Sequence, residues 1–118
     1  MIENAHQSFT ELEVWKKART LKNDIKDLTK QFPAEEKFRL TDQIIRSSRG
    51  INATIAEGHG RYTFKDQLHF CIISRGSLSE THNHLIDALD NNYINHDQLE
   101  IFKKSIDDVG RLLNGYIS

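Results

Sequence analysis

Leu40 to Arg61, LTDQIIRSSRGINATIAEGHGR, is the stretch that decides the fold. Projected at about 100° per residue, Leu40, Ile44, Ser48, Ile51 and Ile55 share one face, and Gln43, Arg46, Gly50, Thr54 and Glu57 form a stripe beside it. The spacing predicts an amphipathic helix with a core side and a neighbouring polar seam. It is placed over 35–57, with Gly58 as a left-handed terminator and Gly60 loosening the exit.

Upstream, residues 1–8 are polar and are read as a loose tail. Thr10 and Glu13 have the spacing of a capping box, and Phe9 and Val14 that of a hydrophobic staple, so a helix is expected over 11–31. Its inward side is Leu12, Trp15, Ala18, Leu21 or Lys22, Ile25 and Leu28. Pro33, the only proline, disfavours a helical Phe32 and marks the bend between the first two helices.

Downstream, Thr63 and Asp66 form the next cap, opening a helix over 64–90. Phe64, Leu68, Cys71, Ile72, Leu78, Ser79, Leu85, Ile86 and Leu89 project as its core face, with Arg75 and His82 inside that face. Gly76, mid-helix, is expected to mark the close approach of another backbone. After the turn Asn91 to Asn95, with Asn95 capping opposite Gln98, the last helix covers 96–116. Leu99, Phe102, Ile106, Val109, Leu113 and Tyr116 recur there at spacings of 3, 4, 3, 4 and 3, a heptad seam. Nothing sustains the alternation of a strand. The expected fold is all-α, an antiparallel up-down four-helix bundle forming a single domain over 1–118.

The chain of 118 residues has a formal net charge of -1 and a pI near 6.6. That balance gives no global pull toward phosphate backbones. One cysteine, Cys71, cannot close an internal disulfide, and no run approaches the roughly 18 apolar residues of a membrane span. The expected setting is the cytoplasm, with no membrane contact.

Candidate chemistry is sparse. The Gly58-His59-Gly60-Arg61 turn lacks the spacing of a phosphate loop and follows a helix C-terminus, so it reads as a cap with Arg61 compensating the last carbonyls. A residual alternative has Arg61 and Lys65 flanking an anion where the third helix begins. His82 and His84 point away from each other, and Glu80 with His84 supplies only one i, i+4 pair, so no metal is expected. His82 is read as an interior or interface histidine. Glu57, His59 and Arg61 offer the types of an acid, a base and an oxyanion partner, and this is the less favoured enzyme alternative. Cys71 on an apolar face reads as packing. No catalytic residue and no cofactor is assigned.

Over Lys37 to Arg61 five cations (Lys37, Arg39, Arg46, Arg49, Arg61) face Asp42 and Glu57. Arg46, Arg49, Arg61 and Lys65 are therefore the candidates for contact with RNA or another anion. Gln43, Arg46, Glu57, Arg75 and Gly76 are the candidates for helix or subunit contacts. Ile45, Phe70, Ile73 and Ile101 fall outside the bundle seams and predict an association surface.

The central stretch also resembles the bacterial 23S ribosomal RNA intervening-sequence protein family, through Gln43, Arg46, Gly50-Ile51, Thr54-Ile55-Ala56-Glu57-Gly58 and Gly60-Arg61. The likeness extends to Phe9, Leu12, Val14, Trp15 and Ala18, to Phe32-Pro33, to Gly76-Ser77-Leu78 with Glu80, and to Tyr93-Ile94. Gly50 stands where serine is usual, and Thr54 where asparagine is usual. The resemblance implies a four-helix bundle that assembles with copies of itself into a ring-shaped pentamer. The accessory variability protein of diversity-generating retroelements looks like a basic fold relative that binds nucleic acid. The leading expectation is a non-enzymatic, oligomeric binding or scaffold protein; the alternative is an RNA-binding protein using the basic face of helix two.

Overall fold

Capping chemistry sets where the helices begin. The computed structural model describes residues 7–117. Ser8, not Thr10, starts the chain's first turn: its hydroxyl accepts from the Thr10 N–H at 3.3 Å, opening a 3-10 turn over Phe9–Glu11. The capping box expected at Thr10 and Glu13 therefore does not form. Helix α1 covers Glu13–Leu28 behind an extended Leu12 and continues as a 3-10 turn over Thr29–Gln31. Phe9 meets Trp15 edge-on at 5.2 Å.

Phe32 and Pro33 are extended, and a separate 3-10 turn follows over Ala34–Glu36. Arg39 adopts a non-helical backbone, so α2 is Leu40–His59 and starts later than expected. Its first turn is satisfied from a distance: Glu36 Oε1 accepts the Leu40 N–H at 3.4 Å. Helix α2 also runs past its expected end. Gly58 stays helical, and Gly60 caps with φ of -79°. Among the described residues the left-handed conformation belongs to Asn92, φ 62°, in the last turn.

The caps of α3, Phe64–Asp90, and α4, His96–Ile117, are those expected. Thr63 Oγ1 accepts the Asp66 N–H at 3.1 Å. Asn95 and Gln98 exchange backbone-to-side-chain bonds at 2.8 and 3.0 Å. Four helices and no strand make up the described residues. Each helix packs on its chain neighbours, and α1 closes on α4. The result is an antiparallel bundle of 43 × 25 × 20 Å.

The core draws Ala18, Leu21 and Ile25 from α1, Ile44, Ile51 and Ile55 from α2, Leu85 and Ala88 from α3, and Val109 and Leu113 from α4. Each of these is at most 2% exposed. Helix α3 is turned by about one residue position, or 100°, from its expected setting. Its buried repeat is Gln67, Cys71, Ser74, Leu78, Thr81, Leu85 and Ala88. Phe64, Ile72, Ser79 and Ile86, assigned to the core by hydropathy, lie outside. Arg75 is exposed, and His82 is only half-buried.

The reason for the rotation is the seam between α2 and α3. Ser47 and Thr81 share a hydrogen bond at 2.8 Å, and Thr54 and Ser74 share one at 2.5 Å. Between these rungs, a Cβ on Gly50 would stand 3.4 Å from Ser77 Oγ; at the end of the seam, one on Gly58 would stand 2.7 Å from Phe70 Cβ. Small residues let the two backbones approach, and in each hydroxyl pair one proton bridges the seam while the other goes to a carbonyl within reach on its own helix, so both polar side chains are buried with their protons used. Gly76 marks no such approach: nothing lies within 4 Å of a Cβ placed there.

Both poles of the bundle are tied. At one, His59 at the end of α2 bonds the Gln7 carbonyl at 2.5 Å and the Tyr116 hydroxyl at 2.7 Å. At the other, Tyr93 donates to Glu36 Oε2 at 2.7 Å, and Gln98 donates to Gln31 Oε1 at 2.8 Å. Glu36 thus caps α2 with one oxygen and holds the α3–α4 turn with the other.

Candidate functional site

The four candidate cations for anion contact fall into two separate pairs. Helix geometry separates the mid-helix pair Arg46 and Arg49 from Arg61 and Lys65 at the pole by about 20 Å. Within each pair, one member is neutralised by an acid of α2. Arg46 pairs with Asp42 at 3.6 Å, and Arg61 pairs with Glu57 at 2.5 Å while stacking over the Phe70 ring at 4.7 Å. Lys65 is exposed. Arg49 has no ion-pair partner among the described residues and turns toward α1.

The acid–base–oxyanion trio is dismantled in the same way. Glu57 is committed to Arg61, and both ring nitrogens of His59 are engaged. In a neutral ring the Gln7 carbonyl, which only accepts, fixes the proton on Nε2, and Nδ1 receives the phenol proton. The imidazole is a clasp. Burial drives the Tyr116 phenol well above its ordinary range, and the same cause pushes the Cys71 thiol up to about 11, so neither is an activated group at neutral pH.

Among the described residues no three His, Cys, Asp or Glu side chains are placed to share a metal ion. The buried histidine of α3 is His84, not His82; its Nε2 lies 3.3 Å from Glu80 Oε2. His82 lines a groove of about 510 Å³ between α3 and α4, with Leu78, Ile106 and Gly110. None of the helix-contact candidates bridges two helices: Gln43 and Arg75 face solvent, Arg46 and Glu57 pair within or just beyond α2, and Gly76 has open space around it.

The prominent surface is apolar. On α3, Phe64 and Ile86 are 44% and 39% exposed and Ile72 is 55% exposed, along one stripe on the side facing away from α2. Ile101 of α4 is 66% exposed, and Ile73 is also open. Ile45 and Phe70, expected to join this surface, are tucked in: Ile45 packs on the core, and Phe70 is held between Gly58 and Arg61. No helix among the described residues is long and apolar enough to cross a membrane.

The family model described as 23S rRNA-intervening sequence protein matches residues 10–115. The chain belongs to that family. Its fold is similar to a crystal structure from Bacteroides thetaiotaomicron, described as a protein of unknown function from the S23 ribosomal protein family. The two are 26% identical over 89% of this chain and 98% of the other, with a TM-score of 0.80. No curated protein matches.

For this member of the 23S rRNA-intervening sequence family, the residues that hydropathy misses are the seam hydroxyls. A signal for them exists in the sequence: Ser47 and Thr54 are seven residues apart, and so are Ser74 and Thr81. Two hydroxyl repeats of equal period on consecutive helices can face each other.

Proposed function

We propose that this chain is a non-enzymatic, cytoplasmic scaffold that works as a closed ring of identical copies, five of them as the family resemblance implies. The supporting observation is the apolar stripe of Phe64, Ile72 and Ile86 on α3, which none of the described residues covers. Such area stays in water unless a partner buries it, and a head-to-tail contact whose rotation closes into a ring avoids open-ended filaments. The groove beside His82, between α3 and α4, gives a neighbour's side chains a place to seat. Arg75 and Gly76 lie on the exposed part of the same helix and belong to this proposed subunit contact.

Light scattering coupled to size exclusion tests the reading. The expected mass is a multiple of 13.7 kDa, falling toward the single-chain value in Ile72→Asp combined with Ile86→Asp while helical circular dichroism is kept. A wild-type chain that runs as a monomer, or a double variant that assembles unchanged, would overturn it.

A further inference from the structure

On the edge of the bundle opposite the α3–α4 side, α1 and α2 border a narrow, partly open cavity of about 150 Å³, lined by Lys22, Asn23, Lys26, Ile45, Ser48 and Arg49. At about 30 Å³ per water in the liquid, that is room for about five waters, or for one tetrahedral oxyanion with part of its hydration. Three of the six lining residues are cationic and none is acidic. Ser48 at its floor is buried and Lys22 is half-buried, while Asn23, Lys26 and Arg49 are exposed at its rim.

The charge in this cavity is uncompensated. None of its three cations takes part in an ion pair among the described residues. The acids best placed to reach it are engaged elsewhere: Asp27 with Lys30 at 3.1 Å, and Asp42 with Arg46. Asp24 lies about 160° around α1 from both Lys22 and Lys26. Those two lysines are four apart, on one face of a helix, where like charges repel. The Ser48 hydroxyl donates its one proton to the Ile45 carbonyl at 3.1 Å, and its oxygen, being neutral, brings no charge to offset the cations. An anion entering here would relieve the repulsion, with a guanidinium fork on one wall, two ammonium groups on the other, and the Asn23 amide as a neutral donor.

We propose that the α1–α2 cavity is a phosphate-group site, with Arg49 as the bidentate contact and Lys22 and Lys26 as flanking charges. The phosphate can be a free phosphate or monoester, or one phosphodiester of an RNA strand. This site is independent of the self-association proposed above, because it uses the other edge of the bundle.

Titration of the full chain with inorganic phosphate at constant ionic strength, followed by NMR, is the test. Binding in the millimolar range is expected, with shifts centred on Asn23 and Arg49. Arg49→Gln should weaken it by about tenfold or more, and Lys22→Gln and Lys26→Gln by less. Arg46→Gln, which removes a guanidinium already paired to Asp42, should leave the affinity as it was, and circular dichroism should show every variant folded. Single-stranded RNA that competes with phosphate on these same variants identifies a strand as the source; RNA that does not compete identifies a free phosphate group. Absence of phosphate shifts in the wild-type chain, binding undiminished by Arg49→Gln, or an equal loss in Arg46→Gln would overturn the site.

Discussion

Helices α3 and α4 are held in the bundle by different means. Helix α4 buries Leu99, Ile106, Val109 and Leu113, an apolar row with no hydrogen bonds to arrange. Helix α3 buries Gln67, Ser74 and Thr81 among its inward residues and leaves Phe64, Ile72 and Ile86 outside. One helix is held by the area it removes from water, the other by how closely small residues and paired hydroxyls let it approach α2. Contact distance can therefore decide which side of a helix turns inward even against the hydropathy of its residues.

Substitutions in the two seams sharpen this contrast. Leu113→Ala, at a position with 0% exposure, is expected to cost about 2–5 kcal/mol in chemical denaturation at fixed protein concentration, the largest effect of the set. Gly58→Ala should cost about 1–3 kcal/mol, because its new Cβ would meet Phe70 Cβ at 2.7 Å. Gly76→Ala should have the opposite sign, stabilising by up to about 1 kcal/mol through helix propensity with no clash. Equal effects at the two glycines would break the claim that closeness to α2 sets the face of α3. Thr81→Val keeps the shape and removes the hydroxyl; a loss of about 1 kcal/mol is expected, since Ser47 retains its bond to the Ile44 carbonyl.

The smallest effect is confined to alkaline pH. The hydrogen bond to Glu36, helped by partial burial and nearby carboxylate charge, lifts the Tyr93 phenol from 10.0 to about 12. The folded chain therefore holds this proton more tightly than the unfolded one. The contact adds stability that is fully present below pH 10 and is lost as pH climbs toward about 12. Tyr93→Phe should flatten the fall in thermal midpoint across that interval and leave its shape at lower pH unchanged.

Hydropathy and capping chemistry made the helix number, their order and the later caps legible, because Thr63, Asn95 and the α4 repeat act through local geometry. The setting of α3 was not legible from apolar spacing, since a seam of serine, threonine and glycine counts as polar although it is buried. At the candidate anion site the sequence names the cations and two of their acid partners. The spacings of Asp42 to Arg46 and Glu57 to Arg61 are both i, i+4, which is enough to anticipate self-neutralisation. The meeting of Arg49 with Lys22 and Lys26 depends on how α1 lies along α2, a register that neither helix encodes alone.

An even number of antiparallel rods returns the chain to the pole it left, and His59 joins Gln7 to Tyr116 there. A segment leaving ahead of Gln7 or after Tyr116 starts from that pole, and the Asn91 to Asn95 turn lies at the other. Linking Gln7 to Tyr116 by a short connection and reopening the chain in that far turn, where Asn92 already takes a left-handed backbone, is a rearrangement the architecture should accept.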